Sequence, residues 1–176
     1  MTRIYGFIAA SLDGYIADRD GGLDWLTPFD DVDSGYDAFI AAIGTVVMGR
    51  ATYEAIMAMS GGWPYAGRRG LIVTSRPLPD APPGVAAWTE GVPALIAHVR
   101  GGNDSEGAAW VVGGGGLQAA FIAAGAFDRL DLFVIPVLLG GGIPLFPPGA
   151  TPARRLQLED TERYANGMAR LRYALS

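Results

Sequence analysis

The stretch WVVGGGGLQAAFIAAG, residues 110–125, constrains the fold more than any other. β-Branched residues run into four consecutive glycines and then into an alanine-rich amphipathic segment. That is a strand, a bare turn and a helix, the unit from which parallel sheets are built. The glycines admit two readings. They can form a tight turn packed under a sheet. They can also let a phosphate lie against bare backbone, because the first amides of a helix have no internal partner and carry partial positive charge. Glycine also lacks the Cβ that would hold a pyrophosphate away.

The rest of the chain repeats the unit. RIYGFIAA, TVVM, GLIVTS, VAAW and AAWVV read as short strands, and YDAFIAAI, GRATYEAIMAM, VPALIAHVR and GLQAAFIAAG as helices. In YDAFIAAI, Tyr36, Phe39, Ile40 and Ile43 recur at i, i+3, i+4 and i+7, with Asp33 and Ser34 as natural N-caps. LDLFVIPVLL, residues 130–139, is apolar almost throughout and belongs inside the sheet. RLQLEDTERYANGMARLRYAL reads as a hairpin about a two-residue Asn166-Gly167 turn, with Leu171, Tyr173 and Leu175 alternating with Arg170 and Arg172. SLDGYIADRDGGLDWLTPFDD and GGGIPLFPPG are loops, and GGNDSEG is a surface turn. The expected class is α/β: a mostly parallel central sheet with helices on both faces, made mixed by a C-terminal antiparallel hairpin. With 176 residues, no repeat and no linker, one domain over 1–176 is expected.

Composition removes several chemistries. There is no Cys, so disulfides, thiolate metal sites and Cys nucleophiles are excluded. His98 is the one His, late in a helix, and suits a helix end better than catalysis. No metal site is expected. The net charge of −5 argues against a nucleic-acid surface. The start MTRIYGF lacks the pattern of a signal peptide, and no apolar run is long enough to span a membrane, so a cytoplasmic location is expected.

Two further strand ends carry groups suited to phosphate. In VVMGRATYE, Gly49, Arg50 and Thr52 fall where a strand becomes a helix. A cation and a hydroxyl there can grip phosphate, although a solvated Arg beside a helix-start Thr is the plainer reading. In LIVTSR, Thr74, Ser75 and Arg76 lie at the carboxyl end of a strand, the edge at which open α/β sheets bind ligands. A Ser/Arg pair there suits a phosphomonoester such as the 2′-phosphate of NADPH, or simply leads into the prolines that follow.

MGRATYE, IVTSR and VVGGGGLQAAFI, in that order, resemble the dihydrofolate reductase superfamily. IAASLDGYIA, GGWPYAG and LFVIPVLLGGGIPLF bring the chain nearer to stand-alone relatives of the reductase (C-terminal) domain of the riboflavin-biosynthesis deaminase/reductase. The resemblance implies a central sheet of about eight strands and NADPH as hydride donor. It implies that Ala10 and Ile16 meet the nicotinamide carboxamide through their backbones. Gly49, Arg50 and Thr52 then meet the phosphates, and Thr74, Ser75 and Arg76 surround the adenosine ribose and its 2′-phosphate. Gly113, Gly114, Gly115, Gly116 and Leu117 cradle the pyrophosphate. Relatives also suggest a homodimer.

The substrate half departs from both patterns. Asp33 and Asp37 are the candidates for the acid that protonates a reduced C=N group; the first equally suits an N-cap and the second solvent. The Thr that accompanies this acid in dihydrofolate reductase has only apolar residues in its place, in LDLFVIPV. The Arg and Ser residues that hold the sugar phosphate in the riboflavin enzyme have no counterpart. Trp25 and Phe39 are the substrate-contact candidates; Trp63 and Tyr65 either stack on a heterocycle or cover the core. The expected activity is NADPH-dependent reduction of a C=N or C=O group in a small pterin- or ribosylaminopyrimidine-like molecule. The alternatives are a non-catalytic NADPH-binding or sensing protein and a globule whose glycines only turn.

Overall fold

The computed structural model describes residues 1–102, 106–150 and 153–175. The turn expected in GGNDSEG lies partly outside them. In chain order the elements are β1 (Ile4–Ser11), β2 (Tyr15–Ala17), a 3-10 helix (Asp24–Phe29), α1 (Tyr36–Ala41), β3 (Ile43–Gly49), α2 (Arg50–Ser60), β4 (Arg69–Val73), β5 (Val85–Trp88), α3 (Gly91–Arg100), β6 (Ala108–Gly113), α4 (Gly115–Ala123), β7 (Arg129–Ile135), β8 (Ile143–Pro144), β9 (Gln157–Arg163) and β10 (Ala169–Ala174). Eight strands form one sheet in the order β5-β4-β3-β6-β1-β7-β10-β9. Every pairing from β5 to β7 is parallel. β10 is antiparallel to both β7 and β9. A second, two-stranded sheet pairs β2 with β8. No helix among the described residues is long and apolar enough to cross a membrane.

Strand alternation divides the core between the two faces of the sheet. Val47 packs with Leu95, Val111, Phe121 and Phe127 on the face covered by α3 and α4. Its neighbours Val46 and Met48 pack with Phe39, Tyr53, Ile72 and Trp110 under α1 and α2. Tyr53, Ile56 and Met57 do share the inward side of α2. Fully burying each such side chain contributes about 1.5–3 kcal/mol.

Four local expectations change. α1 is one turn and a half, and Ile43 is the first residue of β3 rather than part of the helical face. The helix stops because the Ala42 carbonyl accepts from the Ala108 amide at 2.9 Å, which commits the chain to the sheet. Its N-cap is Gly35 at φ 75° rather than Asp33 or Ser34. The C-terminal hairpin turns through three residues, 165–167: the Tyr164 amide donates to the Met168 carbonyl at 2.9 Å, and Gly167 supplies φ 89°. The long apolar strand ends at Ile135, where Pro136 has no amide to donate.

Candidate functional site

β3 and β6 are neighbours in the sheet, with Met48 opposite Gly113. Each runs straight into a helix. Gly49 caps α2 and Gly114 caps α4, both in extended conformations and neither with a side chain on the free amides. Two helix N-termini, with their unpaired N–H groups, therefore stand side by side at one sheet edge. A Cβ on Gly113 or Gly114 would lie 3.7 or 3.5 Å from the Thr52 Oγ1, and one on Gly49 would lie 4.0 Å from the Gly114 amide nitrogen. Motifs far apart in sequence thus line one cradle.

The four glycines serve different ends. Gly113 has φ 155°, which L side chains rarely adopt, and its peptide to Gly114 is cis. Gly113 and Gly114 leave the space beside Thr52 open. Gly115 is pressed against the carbonyls of Pro144 and Leu145, and a Cβ there would come within 2.9 Å of the Leu145 oxygen. Gly116 faces open space. Leu117 turns its side chain into the core beneath α4. Tight packing and an uncrowded backbone surface are both present, at different residues.

The end of β4 extends this edge. The Thr74 Oγ1 accepts from the Arg76 amide at 3.2 Å, while Ser75 and Arg76 stand exposed. Arg50 donates to Glu54 at 2.6 Å and to the Pro77 carbonyl at 2.9 Å, which ties α2 to the segment just after Arg76. On the other side of β6, Ala10 is buried near the end of β1, opposite Val134, and Ile16 lies in β2. Asp13 fastens this corner. It accepts from the Ser11 hydroxyl at 2.7 Å and from the amides of Leu139 and Gly140 at 3.1 and 2.8 Å. The Ser11 bond, helped by those amides, holds its carboxyl below the usual carboxylate value.

A second feature opens beside β1: a cleft of about 450 Å³. Phe7 and Ala9 of β1, Phe133 and Ile135 of β7, and Phe29 and Met168 form its apolar walls. Its polar side chains are Asp30, Ser34 and Tyr36. Asp33 and Asp37 are exposed and do not line it; the Asp33 carboxylate accepts from the Gly35 amide at 2.8 Å. Phe39 is buried behind the wall, stacked on Phe7 at 4.4 Å and edge-on to Trp110 at 5.3 Å. Trp25 packs against the cluster of Phe133, Ile135 and Met168, its indole N–H buried with no partner among the described residues. Trp63 and Tyr65 belong to the core cluster around Trp110. His98 lies against Trp88 at 4.9 Å, away from both features.

The hairpin tip closes the cleft's far side. Asn166 donates from Nδ2 to the Phe29 carbonyl at 3.2 Å and to Asp31 at 2.9 Å, and its Oδ1 accepts from the Met168 amide at 3.1 Å. Burial pushes the Tyr36 phenol above its ordinary value, against an opposing pull from Arg68. The sequence pattern did not single out Asp30, Tyr36 or Met168 as site residues. Only the inward face of α1 hinted at Tyr36, and nothing local marks Met168.

Comparison with known proteins gives the same architecture. The family model described as RibD C-terminal domain matches residues 105–170. The uncharacterized protein YwjB of Bacillus subtilis (strain 168) is 35% identical over 92% of each chain. The structure of a putative riboflavin biosynthesis protein from Shewanella sp. PV-4 superposes with a TM-score of 0.82 at 26% identity, over 98% of each chain. Dihydrofolate reductase from Enterococcus faecalis, solved with NADP(H), superposes with a TM-score of 0.70 at 22% identity, over 98% of this chain and 95% of that one.

Proposed function

This chain belongs to the RibD C-terminal domain family, a group of dihydrofolate reductase-like folds, and from that premise we propose that it is an NADPH-dependent reductase of a small heterocyclic C=N or C=O group. The observation that carries the reading is the cradle: two uncapped helix N-termini and Thr52 around glycines 49, 113 and 114. A Cβ on Gly113 or Gly114 would stand in the space a pyrophosphate needs, so the residues present fit a dinucleotide. Gly113, Gly114 and Gly116 would hold its pyrophosphate and neighbouring ribose, while Gly115 packs the turn against the Pro144 and Leu145 carbonyls and the Leu117 amide closes on the Gly114 carbonyl at 3.0 Å. Gly49, Arg50 and Thr52 would add phosphate contacts. Thr74, Ser75 and Arg76 would receive the adenosine end, with exposed Arg76 free to pair a 2′-phosphate. Ala10 and Ile16 would meet the carboxamide beside the cleft.

The cofactor supplies the hydride when bound. The protein's part is placement: β1 and the apolar walls hold an acceptor ring at the mouth where the nicotinamide would lie. Asp33 and Asp37 have no part in this arrangement, because neither reaches the cleft. Titration of the protein's tryptophan fluorescence with NADPH and with NADH tests the reading. NADPH should bind at least tenfold more tightly, and Arg76→Ala should remove most of that gap, as expected for a lost charge-assisted pair. Absence of binding by either dinucleotide would refute it. The second reading is a sensor that binds without turnover; it draws on Asp30, the one carboxylate lining the cleft among the described residues, being exposed rather than buried. Oxidation of NADPH in the presence of a reducible pterin separates the two.

A further inference from the structure

The reductase reading leaves open what the cleft accepts, and the inference here rests on that reading. We propose that the cleft takes a flat, phosphate-free ring, and that the Tyr36 hydroxyl donates to the ring heteroatom that gains a proton on reduction.

The first half follows from charge. The walls are aromatic and aliphatic, and among the described residues the only charged side chain on them is a carboxylate, Asp30. No arginine lines the cleft, and none of the six residues outside the described set is Lys, Arg or His. A phosphomonoester carries close to two negative charges and needs charged or multiple N–H donors when it leaves water. Here it would meet apolar surface and an acid. Arg68 lies close enough to influence Tyr36, but it directs Nε and Nη2 to the Ile40 carbonyl at 3.2 and 2.7 Å. Arg170, in β10, does not line the cleft; its Nη2 is paired with Asp160 and Glu162 at 2.8 and 2.9 Å, and its Nε is buried without a partner among the described residues.

The second half follows from position. The Tyr36 ring is fixed against Phe7 and Trp110, with centroids 6.0 and 6.1 Å away. It borders the cleft, and its hydroxyl has no hydrogen-bond partner among the described residues. A phenol is protonated at neutral pH at its ordinary value of 10.0, and the shift at the partly exposed Tyr36 is upward. It therefore presents a donor, which an ionised carboxylate cannot. A bound reduced dinucleotide would supply the hydride to the carbon of the acceptor's C=N group. The C=N π pair moves to nitrogen and takes the Tyr36 proton, and water at the open mouth returns a proton to the phenolate. A C=O acceptor uses the same proton at oxygen.

The test uses the full chain and three probes: 6-methylpterin, 5-amino-6-ribosylaminouracil and the 5′-phosphate of the latter. Binding is measured by calorimetry for the wild type and for Tyr36→Phe. The two phosphate-free compounds should bind, and the phosphate should weaken binding by roughly tenfold or more. Ring binding should perturb tyrosine absorbance in the wild type and not in Tyr36→Phe. With whichever ring turns over, the variant should lose about tenfold or more in kcat with little change in KM. Equal or tighter binding of the phosphate compound overturns the charge argument. An unchanged difference spectrum and kcat in the variant overturn the role of Tyr36. If no ring binds while NADPH still does, the cleft assignment is wrong and the dinucleotide reading stands. If NADPH fails to bind, the reductase reading falls, and this proposal with it.

Discussion

The cradle at the ends of β3 and β6 is made from two contiguous motifs, VVMGRATYE and VVGGGGLQ, each a strand that becomes a helix with no loop between. The cleft beside β1 takes its walls from residues as distant as Phe7, Phe29, Tyr36, Phe133 and Met168. The cradle works through backbone: amides, bare Cα atoms and one hydroxyl. The cleft works through side chains that meet only because β1 lies beside β7 and the hairpin tip reaches the 3-10 helix. A backbone site is specified by local sequence and tolerates few side chains. A side-chain site is specified by topology, so its chemistry can diverge while the cradle stays the same.

Substitutions along the glycine run break this comparison most sharply. Gly115→Ala drives a methyl into the Pro144 and Leu145 carbonyls, so it should cost about 2–3 kcal/mol and lower Tm by roughly 5–10 °C in thermal unfolding. Gly116→Ala, facing open space, should stay within about 0.5 kcal/mol of wild type. Equal effects at both positions would mean that the run is a turn and nothing more. Gly114→Ala probes the cradle without that clash: NADPH affinity should fall by roughly 10- to 100-fold, read by fluorescence titration, with Tm nearly unchanged.

Asn166→Ala sharpens the other side. It removes the hairpin's bonds to Phe29 and Asp31. The cost should be about 1 kcal/mol, with weaker ring binding in calorimetry and unchanged NADPH affinity. Loss of NADPH binding in this variant would show that cradle and cleft are not separable. The smallest effect concerns pH. Asp13 has a folded-state carboxyl below its usual value of 3.8, so its stitch contributes fully above that value and is lost only as pH falls through the lower one. Protection of the Leu139 and Gly140 amides from hydrogen exchange should therefore hold down to about pH 4 and decline below it. Decline already near pH 5 would contradict the assignment.

Much of the architecture was legible in the sequence because it is local. Val46 and Val47, Leu71 and Ile72, and Trp110 to Val112 are apolar runs bounded by glycine or polar residues, and each became a parallel strand. Arg50, Thr52, Arg76 and the four glycines lie within a few residues of strand ends, so a parallel sheet necessarily delivers them to one edge. The helical face ending at Ile43 misled because periodicity cannot tell where a tertiary hydrogen bond takes over; Ala42 is claimed by β6 before another turn forms. Asp33 and Asp37 lie in the segment that borders the cleft. Spacing alone could not show that the chain turns Tyr36 and Ser34, rather than either acid, toward the cavity.

The amino-acid order by itself determined the strand–glycine–helix units, the parallel sheet they build, the antiparallel ending around Asn166 and Gly167, and the family. Backbone conformation and amphipathic burial are encoded within windows of a few residues, which is why those features could be read in advance. Only the tertiary structure decided that Gly115 is packing while Gly113 and Gly114 line an uncrowded cradle, that Phe39 lies behind the cleft wall, and that Asp30 and Tyr36 border it. Those outcomes depend on which side chains from distant segments occupy the same few ångströms. That is settled by packing in three dimensions and leaves no periodic trace along the chain.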